Sequence, residues 1–525
     1  MGKGDLTGLD TWRMDFGGLT AAGRFRVCVE GIGCSYPFSV DDDDTWARAS
    51  ATVARSLYYQ RSDIALGAPT ASFDRPRVDH PADGLVVHES TLTALEAADL
   101  PDDQLFKRLV AGAGRTVVKG AWGGHFDAGD WDRRTSHLFM ARDMLDALRI
   151  APDRFEKLNL DIPESGDDVP DLLDEAMWTI DLFRRMQRSD GAVRGGIESA
   201  EFPKWGVPSF RDDLARYAYA PDPWTGFAYA ATAAQAAQAM QPYDGDRAGS
   251  LRRSALAAYE WSARQAVPTK YRDKVAAQRG VADASLLVLT GEPRWNEAFV
   301  ADAPFKDGPL DVLSCHFNEW CDAGWQYLWA APDQTDAGIR SNIAASFTGV
   351  ATRIADAAAT TRFGFCTEDP GVPLEWGLGA GGTPHAVTLL RAYLIDGDTR
   401  FLETAQRCAA VGLGDNPLDT SLVTGLGAQP VRHPLIVDVN VGGLPAWPGT
   451  PVYGFHRLGG DQQWVIDYRL KPAGTSGDLS SIPYLQSWFD LGDVGPMDEF
   501  TVDQSQAPTL WVFGVLASKS PHRPI

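Results

Sequence analysis

Val169-Pro-Asp-Leu-Leu-Asp-Glu-Ala-Met-Trp-Thr-Ile-Asp-Leu-Phe-Arg-Arg-Met-Gln-Arg-Ser-Asp-Gly191 reads as one helix with both ends marked. Leu172, Leu173, Ala176, Met177, Ile180, Phe183 and Met186 form a single apolar stripe at helical spacing. Val169-Pro170 leads in and Ser189-Asp-Gly191 closes it. The same periodicity predicts helices near 132–149, 225–240, 249–266, 282–291, 335–357, 381–395, 399–412 and 504–518, several of them rich in alanine. Long Gly/Pro/aromatic loops separate them at 191–223, 302–320, 358–380 and 414–490. With almost no strand pattern beyond residue 44, this predicts a mainly α fold, a large helical toroid with its site on one rim.

Upstream, Gly23-Arg-Phe-Arg-Val-Cys-Val-Glu30 alternates, Gly31-Ile-Gly33 turns, and Cys34-Ser-Tyr-Pro-Phe-Ser-Val40 follows, so residues 8–40 read as strands. Three short strands are too few for an independent domain and look like the end of a β-sandwich whose beginning is missing. Asp41 to Asp44 then serve as a linker and acidic start for a helix from Thr45. The boundaries are 1–40 for the β segment and 41–525 for the helical domain. The net charge of −22 excludes nucleic acid, which needs basic patches, and no apolar run is long enough for a membrane span. The start is too polar for a secretory leader, so the chain is cytoplasmic if complete and secreted or periplasmic if a leader has been lost. The six cysteines read as free buried thiols and not as a disulfide framework, although Cys28 and Cys34 bracket the hairpin and could pair in an oxidising compartment.

Chemistry concentrates in Trp122-Gly-Gly-His-Phe-Asp-Ala-Gly-Asp-Trp131. Asp127 and Asp130 flank a flexible Ala-Gly pair that can aim both acids into one cavity. Alone, the motif reads first as a helix cap before Asp132. Two further blocks change that. Leu413-Gly-Asp-Asn-Pro-Leu-Asp-Thr-Ser-Leu-Val-Thr-Gly425 forms a long structured loop, and Met497-Asp-Glu499-Phe500 stands just before an apolar helix. Glu499 could equally complement that helix's dipole.

In this order the three blocks resemble glycoside hydrolase family 9, the (α/α)6-barrel family of cellulases and related exo-acting glycosidases. Further matches are Ile162-Pro-Glu-Ser-Gly166, Val169 to Glu175, Met186-Gln-Arg-Ser-Asp-Gly191 and Leu374-Glu-Trp-Gly377. The strands at 8–40 resemble the end of the immunoglobulin-like domain that precedes some members' barrels. The resemblance implies an inverting hydrolase of β-1,4-glucan or β-gluco-oligosaccharides. Asp130 would be the general base, Asp127 would orient the water and Glu499 would be the general acid. Base and acid would stand roughly 6.5–9.5 Å apart to admit that water. Glu499 must then hold a proton at working pH. Trp122, Phe126, Trp131, Trp205, Trp224, Trp320 and Trp376 are candidates for stacking on sugar faces, against core packing as the alternative for each.

Two departures shape the expectation. Many members continue with His-Pro-His-His-Arg, whereas this chain has His433-Pro-Leu-Ile-Val437, so Arg432, His433 or the loop through His456-Arg457 must substitute in binding sugar. Members with the β domain often carry a Cys/His zinc site after Tyr-Tyr-Gln-Arg-Cys. Here Ser62 follows Arg61 and His80 lacks partners, so zinc is not expected. No cofactor is required, and calcium on surface carboxylates is compatible with the composition without any loop demanding it. The substrate partner is a β-linked oligo- or polysaccharide; the oligomeric state is not legible. Loops 191–223 and 438–490 could block one end of the cleft and give an exo-acting β-glucosidase or glucosaminidase, and a catalytically silent sugar-binding protein is the reading from another class.

Overall fold

Pro170 does start a helix, at Asp171, and it ends at Met186. In the computed structural model, which describes residues 6–12, 14–40, 45–316, 318–367, 382, 385–459, 463–472 and 474–524, this helix is one of a double ring. The ring helices are α1 (Thr45–Tyr59), α2 (His137–Ile150), α3 (Asp171–Met186), α4 (Pro223–Met240), α5 (Gly245–Ala263) and α6 (Arg272–Thr290). They continue as α7 (Pro293–Asp302), α8 (Glu319–Leu328), α9 (Ala337–Ala358), α10 (His385–Asp396), α11 (Thr399–Gly412) and α12 (Ala507–Ala517). Even-numbered helices line the axis and odd-numbered ones cover them. Helix α2 touches α12, α4 and α3; α4 touches α5 and α6; α8 joins α6 to α9; and α10 touches α9, α11 and α12. This is the (α/α)6 barrel.

The alternation follows from composition. Helix α3 has one apolar stripe and buries it on α2. Helices α4 and α12 are buried nearly all round, and the alanines of α4 let its neighbours approach closely. Starts are fixed by side-chain caps: Asp222 accepts from the Thr225 amide at 2.8 Å and Asp336 from Ile339 at 2.9 Å. Helix α6 begins at Arg272, ten residues ahead of the predicted start, because its first turns are polar. Helices α7 and α8 are ten residues each, too short for a clear period.

The expectation of almost no strands beyond residue 44 is corrected. The N-terminal region forms β1 (Gly23–Phe25), β2 (Cys28–Val29), β3 (Gly33–Cys34) and β4 (Phe38–Val40), paired β1 with β4 and β2 with β3 as one folded-back hairpin. Residues 8–22 form no strand among the described residues. Then β5 (Val87–Thr93), β6 (Ala113–Val117), β7 (Arg133–Arg134), β8 (Gly196–Ser199) and β9 (Arg216–Ala220) make a sheet in the order β6-β5-β9-β8-β7. Its strands are short and scattered across loops, which hides any period-two signal. Strand β7 directly follows Asp130, so the sheet holds one side of the candidate site. The reading of free thiols is also overturned: Cys28–Cys34, Cys315–Cys321 and Cys366–Cys408 are paired, with Cα–Cα distances of 4.0, 5.2 and 5.3 Å. The first pair sits at directly opposed hairpin positions. Among the described residues no helix is long and apolar enough to cross a membrane. Asp41–Asp44, Trp376 and the rest of Leu374–Gly377 lie outside the described residues.

Candidate active site

The Asp127–Asp130 turn is built on a buried ion network. Arg61 donates to both oxygens of Glu175, at 3.0 and 2.9 Å, and to Glu164 at 2.9 Å. Glu175 Oε1 also lies 2.7 Å from His125 Nε2, and His125 Nδ1 lies 2.7 Å from Thr179 Oγ1. The helix-α3 motif and the Tyr58–Arg61 motif thus meet at one arginine, which fixes the strand leading into the turn. Two bonds from Gln60 complete the hold: the Phe126 amide donates to its carbonyl oxygen at 2.8 Å, and its side-chain Nε2 donates to Ala128 O at 3.0 Å. Gly129 admits no other residue, since a Cβ there would lie 2.6 Å from the Leu435 carbonyl oxygen.

Asp130 is no helix cap. Helix α2 starts at His137, with Ser136 in the cap position. The turn instead delivers a cluster that sequence reading had only half seen: Asp127, Asp130, Asp132 and His137. His137 Nε2 stands 3.5 Å from Asp127 Oδ1, and Asp132 stands 2.7 Å from Arg134 Nε. Arg134 also donates to Glu198 at 2.6 Å, which accepts from the Tyr219 hydroxyl at 3.0 Å. Burial pushes Asp127 up to about 6, with the Asp132 charge adding to it and His137 opposing. Burial, then Asp132 and Asp127, push Asp130 well above the ordinary range. For Asp132 the burial penalty is outweighed by Arg134 and His137, which hold it low. His137 is raised despite burial, because Asp127 stabilises its charged form. The ligand-type atoms of Asp127, Asp132 and His137 gather within 4.8 Å, a separation that could hold a cation. Arg134 supplies positive charge there in any case, and Asp127 favours the protonated form of His137. Asp132 and His137 were the missed members; the signal for Asp132 was a third carboxylate two residues beyond Asp130.

Glu499 arrives from the other side. Gly495–Asp498 forms a helical turn, Glu499 is extended, and a π-helical turn at Val502–Gln506 precedes α12, so Glu499 lies outside that helix's first turn. The Val502 amide donates to Asp127 O at 3.1 Å, the Tyr453 amide to Glu499 O at 2.8 Å, and the Leu435 amide to Asp498 O at 2.7 Å. Burial, with Asp127 and Asp132 adding their charge, pushes the Glu499 carboxyl up to about 8. Glu499, at about 8, therefore holds its proton more tightly than Asp127, at about 6, whose charge acts on it.

The aromatic candidates divide. Phe126 and Trp131 are 2% and 3% exposed, packed on each other and on Val78 and Val437, so neither ring face is open to a sugar. Trp122 lies under the Arg185 guanidinium, 3.7 Å from its ring centre, and Trp320 packs beside Gly280. Trp224 lines a groove with Arg134, Ser136 and Tyr219, with Lys274 Nζ 4.7 Å from its ring centre. Trp205 is 60% exposed and shares an open groove of about 440 Å³ with Arg432, His433 and Arg469. The Arg432 and His433 amides donate to Asp490 at 2.9 and 2.8 Å, which leaves both side chains at that groove. His456 is buried, its Nδ1 2.9 Å from Arg457 O. Ile436 and Val437 are buried under the Asp127–Asp130 turn, which explains their apolar character. The residues around Ser62 do not fit zinc: Arg133 donates to Ser62 Oγ at 2.8 Å and pairs with Asp63 and Asp79 at 3.3 and 2.7 Å.

The model of glycosyl hydrolase family 9 matches residues 47–436. The chain is 24% identical over 467 residues to the xyloglucan-specific endo-β-1,4-glucanase of Bacteroides ovatus, covering 83% of this chain and 75% of that protein. It is 29% identical over 447 residues to endoglucanase C of Cellulomonas fimi, covering 78% of this chain but 38% of that longer protein. A metagenome-derived family 9 endoglucanase superposes with a TM-score of 0.77 at 25% identity, covering 96% of this chain and 86% of that one. With a double ring of helices, a carboxylate cluster facing a buried glutamic acid, and a family match across most of its length, the chain belongs to glycosyl hydrolase family 9 and is a glycoside hydrolase.

Proposed function

We propose that this enzyme hydrolyses β-1,4-glucan or β-gluco-oligosaccharides with inversion of configuration. Asp130 takes the proton from the attacking water, Asp127 orients that water, and Glu499 protonates the departing glycosidic oxygen. The observation that carries the reading is Glu499 pushed up to about 8 by burial and by the charges of Asp127 and Asp132, which His137 and Arg134 hold. Asp130, raised by burial and by the charges of Asp132 and Asp127, is a stronger proton acceptor than an exposed carboxylate once it is ionised. Water and two carboxyl functions suffice, so the step needs no cofactor. The substrate class rests on the relatives, whose names include a xyloglucan-specific endo-β-1,4-glucanase and a cellodextrinase. Trp205, Arg432 and His433 extend the binding surface, and Trp224 lines its inner part. The test is NMR of the product anomer from cello-oligosaccharides together with Asp130→Asn. Inversion and a loss of about 10²–10⁴ in kcat are expected; retention of configuration or undiminished turnover refutes the assignment.

A further inference from the structure

A cavity of about 210 Å³ lies on the barrel axis, because its wall takes side chains from α2, α4, α6, α8 and α10 and from the turn before α12. Three charges in that wall are already satisfied. Arg391 donates to Asp322 at 2.8 Å, and Asp146 accepts the indole N–H groups of Trp325 and Trp511 at 2.9 and 3.0 Å. Arg142 is different. It is 7% exposed, its Nη1 has no hydrogen-bond partner among the described residues, and its guanidinium rests only on the Phe139 ring, 4.5 Å from the centre. Asp143, its neighbour on α2, and Glu319, the first residue of α8, face the same space. A buried guanidinium without acceptors is costly, so something entering the cavity must supply them.

The cavity adjoins the groove beside the carboxylate cluster. Ser136 lines both it and the groove that holds Trp224, and Asp503 in its wall also acts electrostatically on Asp127 and His137. Its volume equals about seven waters at roughly 30 Å³ each, which accommodates one pyranose ring and not two. A neutral sugar suits the wall, since each hydroxyl can accept from Arg142 and donate to Asp143 or Glu319. We propose that this cavity is a blind subsite for the terminal glucosyl residue, so that the enzyme cuts its substrate from a chain end. This deepens the glycosidase reading and rests on it.

The test separates the two. Binding of D-glucose, D-glucosamine and D-glucuronate to the intact protein is measured by titration calorimetry and saturation-transfer NMR. The same is done for Arg142→Met and Glu319→Gln, with circular dichroism to confirm folding. Glucose should bind the wild type best and lose at least tenfold in affinity in either variant, and cellohexaose should release glucose as its first product. Equal glucose affinity in wild type and a folded variant overturns the subsite, as does tighter binding of the charged sugars or a rapid viscosity loss with soluble cellulose. Glucose binding that depends on Arg142 in a protein that hydrolyses no β-glucoside instead sinks the glycosidase reading and keeps the pocket.

Discussion

Replacing Glu499 by glutamine removes the proton that the leaving group is proposed to receive, and the structure sets the size of the effect. With its carboxyl at about 8, about nine in ten molecules hold that proton at pH 7. An exposed glutamate near the ordinary value of about 4.3 would hold it in about one molecule in five hundred. Burial and the Asp127 and Asp132 charges therefore enlarge the active fraction several hundredfold. The group acts when protonated, so the alkaline limb of kcat/KM should turn near 8 and fall tenfold per pH unit above it. The assay is kcat/KM between pH 5 and 10 on two β-cellobiosides, one with an alkyl and one with a 2,4-dinitrophenyl leaving group. In Glu499→Gln the alkaline limb should vanish and alkyl-glycoside turnover fall by about 10²–10⁴. The dinitrophenyl substrate should suffer far less, because its leaving group departs without a proton. Stability follows the same sign. A carboxyl raised in the folded state favours folding at low pH and loses that advantage as pH rises toward 8, so Glu499→Gln should be more stable than wild type above that pH by a few kcal/mol. An alkaline limb near 5, or one that persists in the variant, refutes the reasoning.

Asp132→Asn removes a charge that raises Asp127, Asp130 and Glu499, so both limbs of the pH–rate profile should move to lower pH. Arg61→Met leaves Glu175 buried without its partner and should cost about 3–5 kcal/mol in denaturant unfolding. Native protein should carry no iodoacetamide-reactive thiol, and opening Cys366–Cys408, which closes a separation of 42 residues, should cost about 4 kcal/mol. Trp205→Ala should raise KM on long oligosaccharides about fivefold, for a stacking contact of about 1 kcal/mol, and leave cellobiose turnover unchanged.

Amphipathic helices announced themselves. The α3 stripe and the alanine-rich α4 and α11 lie within a few residues of the expected spans, because burial of one face leaves a period in the sequence. The β5–β9 sheet did not, since its two- to seven-residue strands are separated by loops that carry no period. At the site, Asp127, Asp130 and Glu499 were legible as a motif constellation. Burial of Trp131 and Phe126 was not, because an aromatic beside an acid looks the same whether it lines a cleft or supports the turn from behind. Asp132 and His137 escaped for a related reason: their roles arise from contact with Asp127 and Arg134 in space. Leu435-Ile-Val437 looked like a lost sugar contact, yet Ile436 and Val437 fill the space beneath the turn.

The bonds from Val502 to Asp127, from Tyr453 to Glu499 and from Leu435 to Asp498 all run between peptide groups. The span between the Asp127–Asp130 turn and Glu499 is thus written into the main chain and is indifferent to which side chains surround it. Such a frame lets the surrounding loops drift, or be exchanged in the laboratory, toward new sugars while the hydrolytic step stays in register.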